Sequence, residues 1–227
     1  MRCGLPFASL STLDSATPQC GHCRANEPEF DKARSFGIYS GSLRQLILQL
    51  KFGRRERLGK RLGELLTSVW DSVEELHGLA LPLIVPVPLH ASRQRERGFN
   101  QAELIAAGLV HGLQGRSCRP PLVLAAGYLR RCRATLSQTG LRRAARGENL
   151  RGAFQVVQPE RVRERPVVLI DDVMTTGATL SACARTLKGA GAEQVTGLTL
   201  ARATPQFPDV ASLEDDMPVD GADRDWT

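Results

Sequence analysis

The sequence predicts an α/β fold, a parallel sheet flanked by helices, and three observations carry that expectation. Short apolar, β-branched runs recur at Leu83–Pro88, Leu122–Ala126, Val167–Ile170 and Val195–Ala201, as strands buried on both faces require. Segments of helical spacing separate them, with Leu104, Ile105, Leu109 and Val110 on one apolar face and Leu180, Cys183, Ala184 and Leu187 on another. The polar residues suited to chemistry follow the strands directly, where an open parallel sheet collects its ligand.

The chain opens with Cys3-Gly4-Leu5-Pro6 and Cys20-Gly21-His22-Cys23. A Cys-x-x-Cys knuckle places two thiolates on one metal ion, and a second knuckle about 15 to 20 residues away completes a tetrahedral zinc site. Cys20 and Cys23 form one knuckle; Cys3 is half of the other, its partner position falling upstream of Met1. Residues 1–30 therefore read as an incomplete zinc-ribbon segment with Cys3, Cys20 and Cys23 as ligands, expected to bind zinc weakly or not at all as written. Unliganded thiols and a redox Cys-x-x-Cys are the alternatives; the redox one lacks the strand and helix context that lowers a thiol pKa.

From residue 31 a globular domain is expected to run to residue 202. Phe36–Tyr39 suits a short strand, and Ser40-Gly41-Ser42 a turn into a helix over 43–51 with Leu43, Leu46, Ile47 and Leu50 inward. A second helix is predicted over 56–75 on Leu58, Leu62, Leu65, Leu66 and Val69. Between them Lys51, Arg54 and Arg55 either reach an anionic ligand or form a solvated basic edge. After the strand at 83–88, residues 89–102 read as a loop of alternating arginines that opens the next helix. The guanidinium fork matches phosphate oxygens, so Arg93, Arg97 and their neighbours are candidates for holding a pyrophosphate. His90 reads equally as a catalytic group or a hydrogen-bonded neutral side chain.

Residues 128–154 hold seven arginines against one acid, the most basic stretch of the chain and long enough to read as a lid. A basic nucleic-acid-binding arm is the rival reading, weakened by the scarcity of aromatics for base stacking. Residues 155–165 read as a polar connection. The run Val167–Ile170 then stops at Asp171 and Asp172 and enters a small, hydroxyl-rich turn, Thr175-Thr176-Gly177-Ala178-Thr179, before a helix that Gly189 and Gly191 end. A helix start beside Thr and Gly offers backbone N–H groups and a positive dipole end to a phosphate. Carboxylates just upstream accept hydrogen bonds from a vicinal diol or help hold a hydrated Mg²⁺. A ribose 5-phosphate presents both features, so this stretch reads as its site; an ordinary turn capped by Asp is the plainer alternative.

Asp-Asp-Val-Met-Thr-Thr-Gly-Ala-Thr resembles the phosphoribosyl pyrophosphate (PRPP) motif of type I phosphoribosyltransferases. Pro-Val-Pro-Leu-His with Arg-x-Arg-x-Arg-Gly-Phe-Asn-Gln-Ala, and Arg133-x-Thr135-x-x-Gln138-x-x-Leu141 with Asn149-Leu150-x-x-Ala153-Phe154, resemble the narrower ComF family of competence-associated proteins. The resemblance implies a type I phosphoribosyltransferase-like sheet that binds PRPP with Mg²⁺. By the same resemblance Asp171 and Asp172 hold the ribose hydroxyls and Thr175, Thr176, Gly177, Ala178 and Thr179 the 5-phosphate. Arg93, Arg97, Gly98, Asn100 and Gln101 form the pyrophosphate loop, and a lid containing Arg133, Thr135, Gln138 and Arg143 covers the site. The family likeness implies a role in natural transformation, DNA uptake or nucleotide salvage. The alternative is a non-catalytic nucleotide-sensing adaptor that binds single-stranded DNA or competence proteins.

Composition narrows the classes further. With 227 residues and 42% apolar content the chain suits one well-buried domain and a small appendage. No apolar run approaches a membrane span and the N-terminus lacks a signal-peptide layout, so a cytoplasmic location is expected. Residues 203–227 carry seven acids and one base, which leaves +12 on residues 1–202 against +6 for the whole chain. This tail is expected to be disordered, and the basic remainder favours polyanions.

Overall fold

The computed structural model describes residues 2–4, 20–53, 55–114, 122–133, 150 and 152–203. Five parallel strands form one sheet in the order β1-β7-β6-β2-β3: β1 (Lys32–Ile38), β2 (Leu83–Pro86), β3 (Val123–Leu124), β6 (Pro166–Met174) and β7 (Gln194–Arg202). A separate antiparallel hairpin pairs β4 (Leu129–Arg131) with β5 (Phe154–Val156). The helices are α1 (Gly21–Ala25), α2 (Gly41–Phe52), α3 (Glu56–Asp71), α4 (Ala91–Arg97), α5 (Gln101–Gln114), α6 (Pro159–Val162) and α7 (Ala178–Gly189). The parallel sheet flanked by helices is thus as the sequence predicts.

Alternation along β6 explains the two layers. Val168 and Ile170 join Ile84, Leu198 and Leu200 against Ile47, Leu50, Leu62, Leu66, Ile105 and Leu109 of α2, α3 and α5. Val167 and Leu169 join Leu83, Val85 and Val195 against Leu180, Cys183, Ala184 and Leu187 of α7 and against Phe154 of the hairpin. Successive side chains leave a strand on opposite faces, so a strand covered on both sides must be apolar at every position. On the first face α3 and α5 meet backbone to backbone. A Cβ on Gly63 would fall 2.1 Å from the Ile105 carbonyl oxygen, and one on Gly108 2.0 Å from that of Lys60.

Several boundaries differ from expectation. The first strand covers Lys32–Ile38 rather than 36–39, because its edge pairing with β7 from Thr196 to Arg202 recruits the polar residues before Phe36. The helix predicted over 56–75 stops at Asp71 and a single 3-10 turn at Glu74–Leu76 follows. Residues 89–102 are not an open loop: Ala91–Arg97 form α4, with Gly98 in the left-handed region closing it. The connection 155–165 contains the end of β5 and the short α6. Most relevant to function, the central strand continues through the acid pair to Met174, held by pairing with β7 as far as Arg202. Cys183 is a buried core residue, as its place on the helix predicts.

Candidate functional site

The site lies where the sheet changes direction. β2 connects onward to β3 on one side, while the chain returns to β6 on its other side, and such a switch point leaves a crevice at the carboxyl ends of the two strands. β2 pairs with β6 only from Leu83–Val167 to Pro86–Ile170. Val87 adds one more bond, its N–H donating to the Ile170 carbonyl at 2.8 Å. Asp171 and Asp172 therefore sit on the length of β6 that outruns β2, both half-buried.

The two carboxylates have different surroundings. Asp172 Oδ2 lies 3.4 Å from Nζ of Lys51, the basic residue in the last turn of α2, and both side chains are largely buried. Lys51, which the sequence leaves open between ligand binding and a solvated edge, is thus an internal partner of the acid pair; Arg54 lies outside the described residues and Arg55 is exposed. Asp171 Oδ1 accepts the Asp172 amide at 2.9 Å, and its charge is felt on the other face by Cys183 and Arg131. Burial pushes the Cys183 thiol up, and Asp171 adds to that shift while Arg131 opposes it.

Downstream of Met174 the chain turns through Thr175 and Thr176 to Gly177, at φ +80°. Glycine suits this left-handed region, and the Phe30 ring lies beneath it, 3.4 Å from where a Cβ would stand. Thr176 Oγ1 accepts the Ala178 amide at 3.3 Å, and α7 begins with no acidic residue in its first turn. The N–H groups of this helix start thus face no competing carboxylate from their own turn.

On the other side of the crevice, His90 caps α4: its Nδ1 accepts the Ser92 amide at 3.3 Å and lies 2.7 Å from Ser92 Oγ. The His90 side chain is thus hydrogen-bonded within its own turn. Arg93 and Arg97 stand one helical turn apart, and the Arg97 guanidinium lies over the Phe52 ring, 5.4 Å from its centroid. Asn100 and Gln101 are buried. Asn100 Nδ2 donates to the Val87 carbonyl at 3.1 Å while its Oδ1 accepts the Ala102 amide at 3.1 Å, so it ties the loop after β2 to the start of α5. Of the lid residues, Thr135, Gln138 and Arg143 lie outside the described residues, and Arg133 follows the hairpin strand β4.

With the site's geometry in view, comparison with known proteins identifies the family. A model of the phosphoribosyl transferase domain matches residues 122–214. Competence protein F of Haemophilus influenzae is 34% identical over 195 residues, covering 85% of this chain and 82% of that protein. The chain belongs to the ComF family. DNA utilization protein YhgH of Escherichia coli strain K12 is 36% identical over 197 residues, 86% of this chain and 80% of its own length. Competence protein ComFC of Bacillus subtilis is 33% identical over 123 residues, 53% of this chain and 45% of its own.

Two arginines of this ComF chain stand beside the expected residues without having been singled out from the sequence. Arg131, on β4, has its guanidinium 5.6 Å from the centroid of the Phe154 ring on β5. Burial pulls its pKa down and the charge of Arg93 adds to that, while Cys183 and Asp171 oppose. Arg131 therefore joins Arg93 and Asp171 in one electrostatic neighbourhood. Arg202, the last residue of β7, is buried behind the turn that follows β6, where its Nη1 donates to the Met174 carbonyl at 3.1 Å and also to that of Thr175. Seven arginines in 128–154 hid the first, and a strand terminus carries no sequence signal for the second.

The cysteines of the N-terminal segment come together. Cys3, Cys20 and Cys23 are buried, with sulfurs all within 4.8 Å of one another and the Cys3–Cys20 pair at 3.4 Å. Tetrahedral Zn–S bonds of about 2.3 Å set sulfur separations of about 3.8 Å, so the three thiols fit a zinc ion. Burial, together with Cys3 and Cys20, pushes the Cys23 thiol up to about 12. Among the described residues no helix is long and apolar enough to cross a membrane.

Proposed function

We propose that this ComF-family chain binds PRPP with Mg²⁺ and transfers its phosphoribosyl group, in a role linked to DNA uptake or nucleotide salvage. The observation that carries the reading is the convergence of the half-buried acid pair, the Gly177 loop at the start of α7 and the Arg93–Arg131 neighbourhood at one switch-point crevice. Asp171 and Asp172 accept hydrogen bonds from the ribose hydroxyls, and the N–H groups from Thr176 onward hold the 5-phosphate. Arg93 and Arg131 meet the pyrophosphate, and Arg97 extends the same helix face. The carboxylate oxygens of Asp171 and Asp172 are hard donors that suit Mg²⁺ through its water shell, and the ion when bound offsets charge on the leaving pyrophosphate. As the bond from the ribose anomeric carbon to pyrophosphate breaks, positive charge builds on the ribose, and a water-excluding lid protects it from hydrolysis.

Titration calorimetry of PRPP with Mg²⁺ into the wild type, Asp171→Asn and Asp172→Asn tests this. Binding should weaken by about tenfold or more in each variant, because a hydrogen bond to a charged acceptor contributes about 1.5–3 kcal/mol. Equal binding by all three chains, or none by the wild type, overturns the reading. A second reading, a non-catalytic adaptor for single-stranded DNA or competence proteins, draws on the +12 charge of residues 1–202 and on the names its relatives carry, competence protein F and DNA utilization protein YhgH. Salt-sensitive DNA binding unaffected by both Asp changes would support the adaptor. Release of pyrophosphate from PRPP with a panel of bases would support transfer.

A further inference from the structure

We infer that Lys51 is a specificity-determining residue of the crevice: by sharing Asp172 it keeps the acid pair from taking up a divalent cation alone, so that the crevice admits Mg²⁺ only together with a phosphate-bearing ligand. Lys51 stands in the last turn of α2, where the Gly53 N–H closes the helix on the Gln49 carbonyl at 2.8 Å. Its Nζ lies 3.4 Å from Asp172 Oδ2, and the two side chains are 9% and 13% exposed. Asp172 is fixed in its turn, because β6 pairs with β7 on either side of it, Asp171 with Thr199 and Val173 with Ala201. The ion pair is therefore a fixture of the fold and not a passing surface contact.

Charge decides what such a pair admits. A hard dication held by carboxylates depends on their negative charge. Asp171 and Asp172 side by side would supply two such charges, but the Lys51 ammonium offsets one of them. Burial keeps water from screening the repulsion between that ammonium and an incoming dication. The other groups of the crevice act in the same sense. Arg93 and Arg131 share the electrostatic neighbourhood of Asp171, and Arg97 lies over the ring of Phe52, the residue after Lys51. The crevice is acidic only at its centre and basic around it, a field that repels a bare cation and draws in an anion.

A phosphorylated sugar meets the opposite balance. Its phosphates are attracted by the same cations and carry Mg²⁺ with them. Asp172 can serve both partners, since a carboxylate offers two oxygens and about four lone-pair directions, and an ammonium on Oδ2 leaves room for a hydroxyl donor. A lysine suits this division of the carboxylate, being a compact point charge where an arginine fork would span both oxygens. The inference rests on the acid pair being the ribose and Mg²⁺ site proposed above. Its readout contains no PRPP, however, so a wild type that ignores PRPP sinks that reading and leaves the cation result to be judged separately.

The test uses the full chain with Mn²⁺ in place of Mg²⁺, its binding read from loss of the free-ion electron paramagnetic resonance signal. Lys51→Gln, whose amide still donates a hydrogen bond, should bind Mn²⁺ about tenfold or more tightly than the wild type, because one positive charge beside the pair is gone. Lys51→Arg, which keeps the charge, should show no such gain, and adding Asp172→Asn to Lys51→Gln should erase it. Circular dichroism checks that each variant folds. An affinity unchanged in Lys51→Gln, an equal gain in Lys51→Arg, or a gain that survives Asp172→Asn would each overturn the inference. So would a wild type that by itself binds Mn²⁺ with a Kd of about 10⁻⁵ M or tighter, the range of dedicated cation sites, a measurement that needs no variant.

Discussion

Asp171 and Asp172 are adjacent in the chain, yet the sheet gives them to opposite layers. Asp172 faces α2 and is paired with Lys51 at 3.4 Å. Asp171 faces α7 and the hairpin, beside buried Cys183 and within the field of Arg131. One carboxylate is paired with a lysine of the helical layer and the other accepts its neighbour's amide, so a pair that looks symmetric in sequence is supported by unequal means. Alternation along a strand makes this unavoidable: two consecutive residues cannot lean on the same neighbours.

The largest effect should come from breaking the Asp172 side. Lys51→Met leaves a largely buried carboxylate without its ammonium and should cost about 3 kcal/mol in urea unfolding, the range for removing one partner of a buried pair. Adding Asp172→Asn should recover much of that loss; strictly additive costs would show that the pair is not coupled. The Asp171 side should answer in binding. Arg131→Met should weaken pyrophosphate binding by about tenfold, a loss of one charge-assisted hydrogen bond, with a smaller change in unfolding midpoint. A stability loss exceeding that of Lys51→Met would reverse the comparison. The smallest effect should follow Cys183→Ala, which removes the sulfur beneath Asp171 and should cost about 1 kcal/mol of cavity energy while leaving PRPP affinity within about twofold.

The core strands and the acid-to-glycine turn were legible because each leaves a local mark: unbroken apolar runs for strands buried on both faces, and a small polar turn before a helical spacing. Helix α4 was not, since residues 91–97 have no apolar stripe and none of them is buried; its fold rests on the His90 cap and the Gly98 stop. The edge strand β1 was misplaced at its start because only pairing with β7 makes its polar first half a strand. Long-range partnerships were out of reach. Lys51 with Asp172, and Arg131 with Arg93 and Asp171, are settled by packing between elements far apart in the chain, where adjacent basic residues look alike.

The glycine contact between α3 and α5 bears on how freely the two layers can rearrange. With side chains replaced by direct backbone contact at Gly63 and Gly108, the two helices have no layer of adjustable side chains on which to slide, so shear is closed to that half. Among the described residues the hairpin β4–β5 shares no strand pairing with the main sheet. Asp172 thus stands on the layer whose helices are locked together by backbone contact, and Asp171 on the face that α7 shares with the hairpin.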